Sequence, residues 1–392
     1  MNGIYALTLA YVLSQFYRTF LAVLTPVLTT ELGMTKGDFA VASGVWFFSF
    51  AAMQFIIGVG LDRIGPRRTT FWILAPFGTI GGILFASAQA PWMIILAMAL
   101  IGIGLSPVLM AAVFLFAKRY EPARFASLSS IFIGIGVGGA VLGASPLANA
   151  AGYFGWRPVM TALTALTFVV AVWVYTSMED PEKDPKSSNS SFGGYFELLK
   201  LREFWPLIPA VFFSYAVMIG IRGLWAGPFL STMHGANAEL IGDVALAMSL
   251  AMVAATLSVG KLVEFFQSEK RVGLILNSVV ILTCAILAFN PAMPLWQATL
   301  CLVSVTLFGS GFVAQAAHGR RFYPAHLMGR GVTLLNAISI GGAGILQFGT
   351  GALVTATANP GAPGLQFSWL FGFYAVGLGV SCCFYAFSKD RP

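Results

Sequence analysis

Two arginines, Arg18 and Arg222, lie inside long stretches of apolar residues. Burying a charge at the centre of such a stretch costs roughly 2.5–3.5 kcal/mol or more, so an ionisable residue there usually has a function. All 15 Asp and Glu residues fall in polar segments or near the ends of apolar ones, so neither arginine has an acidic partner at its own depth. Because a buried charge needs an opposite charge, we expect a bound anion to supply it.

Polar and aromatic side chains accompany both arginines at spacings of three, four or seven, which place residues on one face of an α-helix. Two further polar residues stand in a later apolar stretch. Small-ligand sites are mostly apolar, with a few polar groups that fix orientation. We therefore expect the following side chains to orient the solute: Tyr11 and Gln15 beside Arg18, Tyr215 and Trp225 beside Arg222, and Asn336 and Gln347.

The sequence does not predict an enzyme. A catalytic site would need a nucleophile, a base or metal ligands that converge on one face, and no such set is apparent. The three histidines stand near the ends of apolar stretches, and the four cysteines lie in apolar segments where unpaired, buried thiols are the usual outcome. We expect no cofactor and no metal ion.

The composition predicts a chain embedded in a membrane. Hydrophobic residues make up 58% of the 392 residues and charged residues 9%, against about 45–50% and about 25% in soluble proteins. A helix needs about 20 apolar residues to cross the bilayer, which predicts twelve spans. They comprise six single stretches (4–30, 39–61, 126–148, 158–177, 204–230 and 243–262) and three stretches that hold two helices each (69–117, 272–319 and 331–388).

The basic residues predict the orientation. With an even number of spans both termini lie on one side, which would hold all but four of the 22 Lys and Arg residues. The exceptions are Lys36 and Arg157 on the other side and the two buried arginines. Since cytoplasmic loops retain positive charge, we expect both termini to be cytoplasmic in a cell inner (plasma) membrane. The formal charge of +7 then comes from the basic cytoplasmic loops, which attract anionic lipid headgroups. No nucleic-acid partner is expected.

A polar segment divides the predicted spans six and six. Residues 178–203 are rich in charge, proline and serine, and they predict a flexible cytoplasmic linker between a bundle at 1–177 and a bundle at 204–392. The bundles resemble each other at a constant offset of 202 residues, at which 118–124 falls on 320–326. Such repeats are common in transporters, so we expect an all-α membrane protein of two related six-helix bundles.

The loop between spans 2 and 3 carries a distinctive pattern. Residues 58–68 read Gly-Val-Gly-Leu-Asp-Arg-Ile-Gly-Pro-Arg-Arg, which resembles the G-x-x-x-D-[R/K]-x-G-[R/K]-x-[R/K] signature of the major facilitator superfamily. The departure is Pro66, where a basic residue is commoner. The resemblance covers the whole chain. It implies twelve transmembrane helices in two pseudo-symmetric bundles, a central cavity lined by spans 1, 4, 7 and 10, and transport by alternating access.

The same loop predicts ionic contacts on the cytoplasmic side. Asp62 can pair with a neighbouring arginine or lie at a helix N-terminus, whose dipole favours negative charge. Such contacts must break when this side opens, and in the superfamily the loop stabilises the outward-open state. We expect a gating latch formed by Asp62, Arg63, Arg67, Arg68 and Arg124.

Spans 5 and 11 carry runs of glycine, such as Gly136, Gly139 and Gly143 in span 5. No strand precedes them, so a phosphate-binding loop is not expected. Small residues spaced by four let membrane helices approach closely. We therefore expect close packing at the interface between the two bundles.

The arginine pair resembles that of the organophosphate:phosphate antiporters of the superfamily, which place one arginine on span 1 and another on span 7. The resemblance is partial, because at the offset of 202 residues the two arginines are two positions, about 200°, out of register. It favours a secondary transporter for a small organic anion that is phosphorylated, carboxylated or sulfonated, working by exchange or symport. We expect a monomer.

Two alternatives stay open. A proton-driven exporter of an amphipathic drug or metabolite would suit the 34 Phe and 14 Met, although no acid stands in the core to carry the proton. A non-transporting membrane receptor or scaffold would not need a central charged cavity. Removal of Arg18 distinguishes these alternatives, because only the anion carrier depends on its charge.

Overall fold

The structure is a computed structural model that describes residues 2–120, 122–180, 193–323 and 328–390, and within these ranges it is all-helical, with no β-strand. Ten helices are long and apolar enough to cross a membrane. A further pair, Ile131–Leu142 and Ser145–Phe154, is bent by 41°, and the first span begins with a shorter apolar helix, Gly3–Phe16. The predicted fold class, an all-α bundle of membrane-spanning helices, is confirmed.

Six spans form each half of the molecule, and several are interrupted. Those of the N-terminal half are α1 (Asn2–Phe16, Phe20–Val23 and Thr25–Leu32), α2 (Lys36–Arg63), α3 (Pro66–Ile73, a π-turn at Leu74–Gly78, and Thr79–Ala86), α4 (Pro91–Leu105 and Val108–Arg119), α5 (Pro122–Leu142 and Ser145–Phe154) and α6 (Trp156–Ser177). Those of the C-terminal half are α7 (Leu207–Gly220, a π-turn at Ile221–Trp225, and Ala226–His234), α8 (Ala238–Phe266), α9 (Glu269–Phe289), α10 (Leu295–Phe308 and Gly311–Arg320), α11 (Met328–Ala356) and α12 (Leu365–Ala386).

Side-chain caps fix the starts of α2 and α8. The Thr35 hydroxyl accepts the Asp38 N–H at 3.2 Å while the Asp38 carboxylate accepts the Thr35 N–H at 2.9 Å, a reciprocal capping box. Asn237 caps α8 by accepting the Leu240 N–H at 3.0 Å. Asn237 follows Thr35 by 202 residues (237 − 35), so equivalent helices of the two halves begin with equivalent caps.

The halves meet along α2 and α11. Their backbones approach closely where both carry glycine: a Cβ on Gly44 would lie 3.1 Å from the Gly344 carbonyl oxygen. The approach loosens further along α2. A Cβ on Gly341 would lie 3.8 Å from the Ala51 side chain. The two helices are therefore in tight contact around Gly44 and less tight around Ala51.

The pair α5 and α8 behaves in the same way. Near the start of α8, a Cβ on Gly242 would lie 2.7 Å from the Ala148 side chain, and the Ser249 hydroxyl donates to the Ala140 carbonyl at 3.2 Å. The halves thus pack closely at one end of the bundle, here called the opposite side; the end that carries loop 63–68 is here called the basic-loop side.

The glycine run of α5 packs inside the N-terminal half. A Cβ on Gly139 would overlap the backbone of α1, one on Gly143 would lie 3.2 Å from the Phe16 carbonyl oxygen, and one on Gly136 would overlap the Tyr11 ring. The expectation that this run lies between the halves is wrong. Contacts of α5 with α8 come instead from Ala140 and, beyond the bend, from Ala148.

Candidate functional site

Arg18 lies at the break between the first two segments of α1. Its side chain is 7% exposed, and its Nη1 donates a hydrogen bond to the Tyr215 hydroxyl of α7 at 2.9 Å. The guanidinium carbon lies 5.5 Å from the ring centre of Trp46 and 5.0 Å from that of Phe50, both on α2. These cation–π contacts hold the charge against two aromatic rings. The remaining nitrogens, Nε and Nη2, have no partner among the described residues.

Arg222 lies in the π-turn of α7 and is 1% exposed. None of its three side-chain nitrogens has a hydrogen-bond partner in the described part of the chain. Arg18 and Tyr215 lie close enough to interact with it electrostatically. Two like charges therefore share the centre of the molecule, one contributed by each half.

No carboxylate pairs with either arginine in the ranges that the structure describes. The ion pairs found there lie towards the ends of the helices, as Arg157 with Glu31 does on the opposite side and Arg321 with Glu269 on the basic-loop side. Both central arginines are too buried to face lipid. A buried, unpaired charge costs several kcal/mol, so this centre is strongly favourable for an anion.

Both arginines lie at irregularities in their helices, which change the register expected of regular helices. A π-turn adds one residue to a helical turn and so rotates the following side chains by about 100°, and the π-turn of α7 contains Arg222. The first span is interrupted at Arg18 itself and again at Leu24. Glycine permits the resulting closeness of α1 and α7, since a Cβ on Gly223 would lie 2.6 Å from the Arg18 carbonyl oxygen.

Three more of the predicted ligands are buried polar residues. Tyr11 and Gln15 satisfy each other, because the Gln15 amide donates to the Tyr11 hydroxyl at 2.7 Å, and the Tyr11 ring stacks on Phe132 at 5.0 Å. Gln347 on α11 is fully buried, and its amide nitrogen and oxygen both lack a partner among the described residues. Gln347 therefore has polar atoms to offer a solute without breaking an existing hydrogen bond.

Two predicted ligands have other surroundings. Trp225 donates its indole N–H to the Thr350 hydroxyl at 3.0 Å, so its polar atom already serves the contact between α7 and α11. Asn336 is half-buried on α11, eleven residues before Gln347 (347 − 336), which is about 16 Å along the helix. It lies on the basic-loop side of the centre.

Sequence reasoning misses Trp46 and Phe50. They stand four residues apart on α2, so they share one face, and their rings stack with centroids 5.2 Å apart. Nothing in the sequence indicates that this face meets Arg18, which lies in another helix. The Trp46 indole N–H also lacks a partner among the described residues, which adds a donor beside the arginine.

On the basic-loop side, an acid that follows α6 lies at the N-terminus of α3. The Asp180 carboxylate accepts the backbone N–H of Arg67 at 2.7 Å, at the start of α3. It also lies 3.7 Å from Nε of Arg67 and 3.9 Å from Nε of Arg68. This is an anion at the positive end of a helix dipole.

The remaining latch residues are less constrained. Arg63 is exposed and forms no ion pair within the described ranges, and the side chains of Asp62 and Arg124 lie outside what the structure describes. Arg119 pairs with Glu179 at 3.7 Å. The ion pairs described at this end join residues of one half to each other or to the ends of the linker at 178–203.

The described residues contain no group of three or more His, Cys, Asp or Glu that could hold a metal ion. The cysteines are unpaired. His318 is buried near the end of α10, with its ring nitrogens 3.0 Å from the Tyr385 hydroxyl and 2.8 Å from the Lys389 carbonyl oxygen. Its polar atoms are therefore already engaged within the C-terminal half.

A distant relative that is named as a transporter matches part of the sequence. The chain is 24% identical over 182 residues to "Uncharacterized transporter YybO" of Bacillus subtilis (strain 168), a match that covers 46% of this chain and 41% of that protein. The match therefore spans less than half of the length of that protein.

Solved structures share the fold over almost the full length. A bacterial homolog of the human lysosomal transporter Spinster, inward-facing and occupied, superposes with a TM-score of 0.76 at 20% identity, covering 99% of this chain and 97% of that chain. The nucleoside transporter NupG gives 0.77 at 17% identity, with 99% and 100% coverage. A D-xylose-proton symporter gives 0.79 at 14% identity, with 99% and 98% coverage.

A family model covers most of the chain as well. The model described as Major Facilitator Superfamily matches residues 7–348, a range that includes the loop at 58–68, both central arginines and the contact between α2 and α11. This match, the two six-helix halves and the shared fold lead to one conclusion: the chain belongs to the Major Facilitator Superfamily, a family of membrane transporters and not of enzymes.

Proposed function

We propose that this transporter carries a small organic anion, which Arg18 and Arg222 clamp between the two halves. The observation that supports the proposal is the pair of buried guanidiniums, one from α1 and one from α7, with no acid paired to either among the described residues. A cationic solute would be repelled there, and a neutral one would leave both charges unbalanced. Gln347 would orient the rest of the solute, with Tyr11, Gln15, Tyr215, Trp225 and Asn336 lining the path.

Alternating access follows from how the halves pack. Contacts between α2 and α11 and between α5 and α8 close the opposite side, so we propose that a solute enters or leaves past loop 63–68 in this conformation. The excess of basic residues on that side supports a cytoplasmic location for it and for both termini. Closing it would bring loop 63–68, with Asp62, Arg63, Arg67, Arg68 and Arg124, towards the other half as a latch.

The same charges favour exchange over uniport. A carrier that crosses its occluded state without a solute would move two uncompensated charges through a low-dielectric centre, whereas a carrier loaded with an anion would not. We therefore propose that one anion is exchanged for another. In the alternative mechanism, symport, a cation moves together with the anion and balances its charge. Liposomes preloaded with the transported anion should then take up labelled anion faster than liposomes loaded with buffer.

Uptake into proteoliposomes tests the proposal. The assay compares phosphorylated, carboxylated and sulfonated solutes in wild type, Arg18→Ala and Arg222→Ala, with Arg271→Ala as the control, because the Arg271 side chain is 70% exposed and far along the chain from the centre. A hydrogen bond to a charged group contributes about 1.5–3 kcal/mol, so we expect each central variant to lose at least about tenfold in uptake of the anion.

The outcomes separate the alternatives. Unchanged anion uptake in both central variants would exclude the clamp. Uptake of an uncharged or cationic amphipathic compound that depends on a proton gradient would favour the exporter instead. Binding without any uptake in wild type would favour a receptor.

A further inference from the structure

Trp46 on α2 carries a buried hydrogen-bond donor that the protein itself does not use. The residue is 1% exposed, and its indole N–H has no hydrogen-bond partner within the described ranges. Three other tryptophans, Trp156, Trp205 and Trp225, donate the same N–H at 2.9–3.0 Å to a carboxylate, a backbone carbonyl and a hydroxyl. Because a buried donor without a partner is costly, Trp46 is suited to receive its acceptor from outside the chain.

The indole lies beside the guanidinium of the proposed anion site. The Arg18 guanidinium carbon is 5.5 Å from the ring centre of Trp46, and the indole nitrogen is a member of that ring system. Nη1 of Arg18 donates to the Tyr215 hydroxyl at 2.9 Å, whereas Nε and Nη2 are buried and have no partner in the part of the chain that the structure describes. An anion bound to these nitrogens at about 2.7–2.9 Å is close enough to accept from a donor on the adjoining ring.

Neighbouring aromatic rings hold the indole in place. Phe50 stacks on it with ring centroids 5.2 Å apart and an interplanar angle of 24°, and Phe47 meets it nearly edge-on at 4.7 Å and 72°. Neither phenylalanine has a polar atom in its side chain, so Trp46 supplies the donor of this aromatic group. A ring packed by two others loses little conformational freedom when a solute binds, and its N–H is therefore pre-organised.

Trp46 and Arg18 belong to the same half of the molecule. Alternating access is largely a rigid-body movement of one half against the other, so donors on α1 and α2 keep their places relative to each other. Tyr215, Arg222 and Gln347 lie in the other half, and their distances to Arg18 change in that movement. An acidic group that binds both Arg18 and Trp46 can therefore keep these contacts while the halves move.

We propose that the Trp46 indole N–H donates a hydrogen bond to the acidic group of the transported anion, next to Nε and Nη2 of Arg18. This inference rests on the proposed function, because it adds a binding residue to the same anion site. The bond requires an oxygen lone pair with negative charge, which carboxylates, phosphonates, phosphate and sulfonates all provide. Trp46 thus increases the affinity for anions in general.

NMR of the purified full-length protein observes this hydrogen bond directly. With ¹⁵N-labelled tryptophan, each of the nine indole groups gives one resonance, and the one missing from Trp46→Phe or Trp46→Tyr belongs to Trp46. Inorganic phosphate, acetate, methylphosphonate and methanesulfonate are added up to about 10 mM, so that millimolar affinities register. We expect the Trp46 proton to move downfield with every probe that stabilises the protein, because an anionic acceptor deshields it, and to stay in place in Arg18→Ala.

Affinity provides a second measurement. Trp46→Phe keeps an aromatic ring beside Arg18 and removes the donor, so we expect it to bind the same probes about tenfold more weakly and to fold without losing a hydrogen bond. Trp156→Phe is the matched control: Trp156 is also buried in the N-terminal half, but its N–H donates to the Glu31 carboxylate at 3.0 Å. This control should melt at a lower temperature and keep the affinity of wild type.

The results separate the role of Trp46 from the clamp. If a probe binds wild type while the Trp46 resonance stays in place, or if Trp46→Phe binds it as tightly, the inference is overturned and the clamp stands; an upfield resonance would show that the N–H points at the face of the Phe47 ring. A Trp46 shift that persists in Arg18→Ala would overturn the shared site. Wild-type affinity in Arg18→Ala, or no binding of any of the four anions, would count against the proposed function itself and against the role of Trp46 with it.

Discussion

Replacing Arg222 with methionine should make the protein more stable and inactive at the same time. The guanidinium is 1% exposed and none of its nitrogens has a partner among the described residues, so folding buries a charge with little compensation. Replacing buried ionic groups by apolar residues of similar volume is often stabilising by about 1–4 kcal/mol. Methionine fills a similar volume and adapts to its surroundings. We expect the free energy of unfolding to rise by about 1–3 kcal/mol.

The control is an arginine with partners. Arg157 donates to the Glu31 carboxylate and, at 3.1 Å, to the Ala88 carbonyl. Arg157→Met removes these contacts and should lower the melting temperature, whereas Arg222→Met should raise it by about 2–8 °C. The sign of the change therefore distinguishes a buried arginine without partners from one that is paired.

A thiol-reactive fluorophore provides the assay, because Cys284 and Cys382 are buried and react only when the bundle opens. Wild type should also gain stability from a transported anion, by mass action, and Arg222→Met should gain none. If Arg222→Met melts at or below the temperature of wild type while Arg157→Met melts lower, then the charge of Arg222 is compensated within the protein. The reasoning that leads to an anionic solute would then fail.

Three other predictions concern the ends of the bundle. Asp180→Asn should lower the melting temperature at low salt more than at high salt, because it weakens a charge at the start of α3 and beside Arg67. Hydrogen bonds from Trp156 and Arg157 hold the pKa of Glu31 below its ordinary value of 4.5. Its ionised form therefore stabilises the fold above that pH, and the difference in melting temperature between wild type and Glu31→Gln should vanish as the pH falls through the lowered pKa. Gly344→Val should disfavour closure of the opposite side by about 1–3 kcal/mol, since a Cβ there would lie 2.9 Å from the Phe48 backbone nitrogen; faster labelling of a cysteine introduced on that side would reveal it.

Composition and spacing predict the architecture because the bilayer imposes it. A span needs about 20 apolar residues, so the lengths of the uncharged stretches determine the number of helices almost without regard to side-chain detail. Burial of Arg18 and Arg222 follows from the same pattern, and so does their placement in equivalent helices of two repeated halves. The signature at 58–68 then gives the family.

The arrangement of the centre could not be read in the same way. Periodicity assumes a regular helix, whereas α1 breaks at Arg18 and α7 forms a π-turn at Arg222, and one added residue changes which side chains meet. Contacts between helices distant in sequence, such as that of Arg18 with Trp46, depend on packing and not on local pattern. The contact of Asp180 with Arg67 could not be predicted for the same reason, because Asp180 is far away in sequence and reaches loop 63–68 from the end of α6.

The glycine contact between α2 and α11 has a mechanical consequence. Gly44 and Gly344 meet near one end of α2, and about 28 Å of rigid helix extends from there to Arg63, at 1.5 Å per residue. A tilt of about 10° at that contact displaces the far end by about 5 Å, comparable to the width of a small solute. The glycine pair can thus serve as a hinge. A small change of packing there displaces the far end of the helix far enough to open a passage.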